Sequence, residues 1–357
     1  MPVPQQRDPE LTRKHLTTWL AERLPEAADL RVRVEVPEGL GFSNETLLVD
    51  TKWGPQGSEE HRRLVVRVAP TRYRVMPGSR LDEEYRVLDA LRDTDVPVPG
   101  VVGFEPDPGL LGAPFYAMDR VEGWVPPDLP SYHRDGGPVS ALDEGSRAAV
   151  WWGGVEALHR IHRLDASALG LDALRESTHG PYGLGAQLDY YEAHMDHFGG
   201  ADSVPVREAL ALLRDGLPPE PERPSLLWGD ARLGNLMFSG VAPVAVLDWE
   251  MTFLGPGEAD LGWYLYLDRH LSEGVGAPRL PGLPGRAETV RRYEELAGRP
   301  VAAHMDWYEV FAGFRFALIA SRVGRLLVEH GLVAAEADVP LARNAANLLA
   351  RTLEPLA

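Results

Sequence analysis

The chain contains no cysteine. That excludes disulfides, thiolate metal sites and a cysteine nucleophile. Positive charge is also short: 36 Lys and Arg stand against 53 Asp and Glu, a net charge of −17. Nucleic acids and anionic membranes are bound by clustered cations, so neither is an expected partner. The opening MPVPQQRDPE lacks the apolar core of an export signal. The most apolar long segment, Trp307–Val328, carries Glu309, Arg315, Arg322 and Arg325, too many charges to cross a bilayer. The expected location is cytoplasmic.

What remains is an ordinary globular composition, 44% hydrophobic and 25% charged over 357 residues. That length holds two domains or one large two-lobed enzyme. Asp8-Pro9 is a helix start, and Leu11, His15, Trp19, Leu20 and Leu24 recur at helical spacing behind it. Strand-like runs follow at Val32–Val36, Thr46–Asp50 and Leu64–Ala69; the third is too apolar for an exposed edge, yet contains Arg67. In the helix predicted over Arg80–Arg92, Glu84 shares the stripe of Leu81 and Leu88. A carboxylate on a buried stripe wants a cationic partner, and Arg67 is a candidate. From Asp143 onward the pattern turns helical: Glu144–Leu164, Gly185–Phe198, Val206–Leu217, Asp260–His270, Ala287–Ala297, Trp307–His330 and Leu341–Leu356.

Between these helices lies LLWGDARLGNLMFSGVAPVAVLDWE, Leu226–Glu250. It reads as an apolar run ending at Trp228-Gly229-Asp230, a polar loop to Asn235, and a hairpin turning at Ser239-Gly240 with Asp248 at its far end. Asp230-x4-Asn235 has the spacing of a kinase catalytic loop, and Asp248 stands where a second metal-binding carboxylate would come. Phosphoryl transfer asks for positioning and charge neutralisation, which a proton-accepting carboxylate and an amide–carboxylate pair on Mg²⁺ supply. Each residue alone has an ordinary explanation as a turn, a loop amide or a strand-end cap; the three at this spacing favour a site.

These segments resemble the aminoglycoside phosphotransferase and choline kinase-like family of small-molecule kinases over most of the chain. GLGFSNETLLVD resembles the family's phosphate-covering loop, LVVRVA its third strand, LDEEYRVLDAL the helix carrying the acidic partner, and APFYAMDRVEG the hinge. VEALHRIHRLD is similar to the helix ahead of the catalytic loop, while LLWGDARLGNLMF and VLDWEMTFLGPGEADLGW resemble the catalytic and metal segments. The resemblance implies an α+β, two-lobed protein kinase-like fold. Its small N-terminal nucleotide-binding lobe, 1–118, would hold an antiparallel sheet and one key helix. A larger, mostly helical catalytic and substrate lobe would span 119–357, with the hinge about 116–126.

It further implies that Asp230 orients or deprotonates an acceptor hydroxyl, and that Asn235 and Asp248 hold Mg²⁺ on the nucleotide. Arg67 paired to Glu84, Ser43, Asn44 and Met118 would serve the nucleotide; Arg232, Glu250 and Asp260 would support, Asp260 by gripping Arg232 or the loop backbone. ATP is the implied phosphate donor, with GTP left open, and the acceptor a small hydroxylated molecule. Oligomeric state is not indicated. Two residues depart from the family pattern: Trp228 where His is usual and Arg67 where Lys is commonest. They motivate a second reading, a nucleotide-binding scaffold without transfer activity. A kinase for protein substrates is disfavoured, because no long activation segment separates Asp248 from Trp263. Acceptor contacts are expected from Gly185–Phe198 and from Trp263–Asp268 or Trp307–Arg325; the arginines of the last suit an anionic or apolar acceptor as well as aminoglycoside chemistry would suit acidic residues.

Overall fold

Five antiparallel strands make the N-terminal sheet, in the order β1-β2-β3-β5-β4: β1 Arg31–Glu35, β2 Glu45–Trp53, β3 Glu60–Val68, β4 Val101–Glu105 and β5 Phe115–Asp119. The computed structural model describes residues 7–37, 44–55, 58–71, 74–178, 180–334 and 339–356. Strand β3 lies between β2 and β5, which explains its apolar run. Leu64, Val66 and Val68 point inward and are fully buried, and the period of two turns Arg67 to the other face. Helix α1, Pro9–Arg23, is capped by the Asp8 carboxylate on the Leu11 N–H. Helix α2, Leu81–Leu91, buries Leu81, Glu84, Val87, Leu88 and Leu91 along one stripe.

Contacts divide the chain into two units. The first comprises residues 1–92 and 99–121, the second residues 93–98 and 122–357. Residues 116–119 of the expected hinge are ladder residues of β5. Segment 93–98 joins the second unit because the Val246 N–H donates to the Pro97 carbonyl and Arg163 pairs with Asp95.

Helices dominate the second unit: α3 Glu144–His162, α4 Leu184–Ala193, α5 Met195–Phe198, α6 Val204–Asp215, α7 Glu258–Arg269, α8 Arg286–Ala297, α9 Met305–Glu329 and α10 Pro340–Leu353. The single helix expected over Gly185–Phe198 is thus two: the backbone leaves helical geometry at His194, and Gly199 ends the second piece at φ 75°. Two small antiparallel pairs complete the unit, β6 Ser225–Leu227 with β9 Phe253–Gly255, and the hairpin β7 Leu236–Ser239 with β8 Ala242–Val246.

Helices α7 and α9 form the core of this unit. Gly262 lets them approach closely, since a Cβ there would lie 2.8 Å from the Tyr308 backbone. Trp263–Asp268 is buried along its whole length, as are Trp307, Tyr308, Phe311 and Phe314. The two aromatic runs expected to meet an acceptor are therefore packed against the protein's own interior. Among the described residues, no helix is long and apolar enough to cross a membrane.

Candidate active site

Strand β6 carries the chain to Trp228, and its pairing with β9 brings the Met251 carbonyl against the following turn. Gly229 adopts φ 89°, and a Cβ there would lie 2.0 Å from the Met251 oxygen. Only glycine satisfies both conditions. The turn's two N–H groups are held by one buried carboxylate: Trp228 N donates to Asp260 Oδ2 at 2.7 Å and Gly229 N to Oδ1 at 2.9 Å. Asp260 thus grips the loop backbone and not Arg232. His162 lies behind it, with Nε2 3.1 Å from Asp260 Oδ2 and Nδ1 2.7 Å from the Tyr293 hydroxyl. A carboxylate can only accept, so Nε2 carries the proton and Nδ1 accepts from Tyr293.

Asp230 emerges from this turn with its side chain 14% exposed. Its Oδ1 accepts from Trp263 Nε1 at 2.8 Å; its Oδ2 accepts from Asn235 Nδ2 at 2.7 Å and from Arg232 Nε at 2.9 Å. Arg232 also pairs with Asp128, from the Pro-rich segment after the first unit. Burial works against its charge, but Asp230, Asp128 and Asp248 outweigh that and hold the guanidinium firmly protonated. Burial raises the Asp128 carboxyl; Arg232 pulls it down and Asp230 pushes it up, and the net shift is upward. Gly234 makes room for the pair, because a Cβ there would lie 2.6 Å from Arg232 Nη1 and 2.7 Å from Asp128 Oδ1.

Asn235 closes a short helical turn, Leu233–Asn235, and the Leu247 N–H donates to its backbone carbonyl at 2.9 Å. That bond brings the end of β8, and with it Asp248, beside Asn235. Asp248 has φ 62°, a left-handed conformation that costs a non-glycine residue roughly 1–2 kcal/mol. The indole of Trp228 donates to the Leu247 carbonyl at 2.7 Å. Glu250, two residues after Asp248, is half-buried in the turn toward β9.

The donor set suits Mg²⁺. Asn235 spends its amide N–H on Asp230 and keeps its side-chain oxygen, and Asp248 adds carboxylate oxygens, all hard ligands. Among the described residues, no group of three or more His, Asp or Glu side chains could hold a metal by itself. Mg²⁺ bound mainly through substrate phosphates needs no such cage.

In the first unit, Asn44 Nδ2 donates to Glu84 Oε2 at 3.2 Å, and Glu84 is 2% exposed. Arg67 donates to the Thr46 hydroxyl at 3.1 Å, Thr46 being its cross-strand partner on β2. Met118 sits on β5 opposite Val65. Ser43 lies outside the described residues.

Three contacts of the site were not foreseen from sequence: those made by Asp128, Trp263 and His162. Trp263 was expected only as part of the acceptor-contacting run Trp263–Asp268, and no role was expected of Asp128 or His162. The arginines of α9 do not line an anion site together. Arg315 is buried, while Arg322 and Arg325 pair with Glu329.

Residues 34–296 match the sequence model of the phosphotransferase enzyme family. The chain is 29% identical over 274 residues to acyl-CoA dehydrogenase family member 10 of Mus musculus, covering 73% of this chain and 24% of that protein. It is 29% identical over 304 residues to a probable acyl-CoA dehydrogenase, IBR3, of Arabidopsis thaliana, covering 80% of this chain and 35% of that one. It thus spans about a quarter to a third of the length of these relatives. Among solved structures it is similar to a putative aminoglycoside phosphotransferase from Ralstonia eutropha, with TM-score 0.73, 25% identity, and 96% and 97% of the two chains covered. It shares a fold with an aminoglycoside phosphotransferase in ternary complex with AMP-PNP and hygromycin B, with TM-score 0.56, 16% identity, and 96% and 99% covered. The fold is the protein kinase-like α+β fold of these enzymes.

Proposed function

The chain belongs to the phosphotransferase enzyme family, and from that premise we propose that it moves the γ-phosphate of ATP to a hydroxyl group of a small molecule. The observation that carries this reading is the set of three donors on Asp230, which holds its carboxylate at a fixed angle beside Asn235. Asp230 takes the acceptor hydroxyl as a hydrogen-bond donor, aligns its oxygen for in-line attack and receives its proton as the O–P bond forms. The leaving group is the nucleoside diphosphate.

Asn235, through its side-chain oxygen, and Asp248 would hold Mg²⁺, which when bound neutralises charge on the phosphate oxygens. Glu250 would support that shell through water. Arg232, held by Asp230 and Asp128, keeps a cation beside the transferring group. Asp260 fixes the turn that presents Asp230. In the first unit, Arg67 is assigned to the α- and β-phosphates. The buried Glu84 is assigned to orienting that cation, Ser43 and Asn44 to the phosphates, and Met118 to the base. Arg67 in place of lysine remains cationic and can grip phosphate with two parallel donors.

The acceptor class is the finer question. The named structural neighbours make aminoglycosides one group to assay, and the names of the longer relatives make hydroxylated acyl compounds another. The test is an ATP- and GTP-consumption screen over hydroxyl compounds of both groups, paired with Mg·ATP titration by thermal shift. Acceptor-dependent turnover supports the reading. Nucleotide binding with no turnover on any acceptor would favour the scaffold reading that Trp228 and Arg67 raise.

A further inference from the structure

Helix α9 buries one cation to which the chemistry above gives no part. Arg315 is 1% exposed, and its guanidinium lies 4.8 Å from the centroid of the Trp263 ring, 5.2 Å from Phe311, 5.5 Å from Phe253 and 5.6 Å from Tyr191. Among the described residues it forms no ion pair. Its hydrogen bonds run from Nε to the Tyr191 hydroxyl at 3.2 Å and from Nη2 to the Gly229 carbonyl at 3.5 Å. An interior charge without a counter-ion is expensive, and a ring of aromatic faces offsets only part of that cost. A methionine would fill the same space without it.

Both directions in which Arg315 reaches lead to Asp230. Gly229 is the residue before it in the chain, and its carbonyl is the group on which Nη2 converges. Trp263, the nearest of the four rings, is the ring whose N–H donates to Asp230 Oδ1. A cation over an indole face draws electron density from the ring and makes its N–H a stronger donor. Charge balance points the same way. Asp230, Asp128 and Asp248 all act on Arg232, so three carboxylates crowd this end of the turn. Arg315 supplies a second cation from beneath the turn, in an apolar setting where screening is weak.

We propose that Arg315 and Trp263 are positioning residues for Asp230. Trp263 fixes Oδ1, so that the rotation of the carboxylate is set. Arg315 fixes the plane of that indole and the Gly229 carbonyl, and offsets part of the negative charge. The pair acts on how the acceptor hydroxyl is aligned and does nothing to hold nucleotide. The proposal rests on the reading of Asp230 as the acceptor-facing carboxylate.

The experiment uses the full chain, ¹⁵N-labelled, with the Trp263 indole N–H resonance assigned by its loss in Trp263→Phe. In Arg315→Met that resonance should move upfield as its bond to Asp230 loosens, while Arg315→Lys should keep it near the parent position. Hydrolysis of Mg·ATP, with water as acceptor, is measured beside it. The expected result is a kcat about tenfold lower in Arg315→Met, a KM for Mg·ATP within about twofold, and recovery of most of the kcat in Arg315→Lys. A folded Arg315→Met protein with the parent's indole resonance and kcat overturns the proposal. So does a lysine variant no better than methionine, since the charge would then be irrelevant. Should Arg315→Met not fold, Trp263→Phe decides: a kcat loss at constant KM supports the proposal, and an unchanged kcat contradicts it. A parent that turns over ATP neither with water nor with any acceptor of the screen counts against the phosphotransferase reading, and the indole resonance then still decides the placement.

Discussion

The indole of Trp228 donates to the backbone carbonyl of Leu247, 2.7 Å away and nineteen residues on. The bond ties the turn that presents Asp230 to the residue immediately before Asp248, so the two carboxylates share one anchor. Trp228→Phe keeps most of the ring and deletes the donor. It should cost about 1 kcal/mol of stability and raise the Mg²⁺ concentration for half-maximal activity several-fold. Trp228→His should restore the Mg²⁺ requirement, because an imidazole N–H can donate to the same oxygen. A magnesium titration of the three proteins checks this; an unaltered requirement in Trp228→Phe would sink it.

Gly229→Ala meets two obstacles at once, a φ of 89° and a Cβ placed 2.0 Å from the Met251 oxygen. The turn must open, which moves Asp230 and breaks the donations to Asp260. A loss of roughly 2–4 kcal/mol and of nearly all activity is expected. Denaturant unfolding followed by circular dichroism measures the first, and an unchanged midpoint would contradict the geometry.

Asp260→Ala leaves the N–H groups of Trp228 and Gly229 and the Nε2–H of His162 without their shared acceptor in a buried setting. A cost of roughly 3 kcal/mol or more follows from three lost donations to one carboxylate. Asp260→Asn should retain part of it through its one carbonyl oxygen. If alanine and asparagine variants melt together, the carboxylate is not what holds the turn.

His270 gives the pH prediction. Burial lowers its pKa from the ordinary 6.5 to about 4, and its ring packs edge-on against Phe316. The folded protein keeps the ring neutral while the unfolded chain takes up a proton below about pH 6.5. Stability is therefore fully present above that value and falls as pH drops toward 4, by about 3 kcal/mol in all. His270→Gln, neutral throughout, should flatten this part of the curve. Melting temperatures of parent and variant between pH 7 and 4 test it; parallel curves would show that His270 contributes nothing.

Much of this architecture was readable in the chain. Strand β3 announced its central place by its apolar run, and Glu84 its burial by sitting on the stripe of Leu81 and Leu88. The Ser239-Gly240 turn and the spacing from Asp230 to Asn235 are local, within the range of turn and strand chemistry. What could not be read depends on distant chain segments meeting. Asp128 reaches Arg232 across 104 positions, and a carboxylate in a Pro-rich stretch has no pattern to reveal that. Trp263 obeys the same helical spacing as its core neighbours, and only the direction of its N–H sets it apart. The break at His194 leaves the apolar spacing intact on both sides, so periodicity ran through it.

The role proposed for Asp230, to serve the acceptor and not the nucleotide, is open to direct measurement. Asp230→Asn keeps the size of the side chain and removes the charge that would receive a hydroxyl proton. With any acceptor that the screen identifies, the variant should bind Mg·ATP within about threefold of the parent and transfer phosphate at least about a hundredfold more slowly. Transfer at the parent's rate would contradict that role for Asp230.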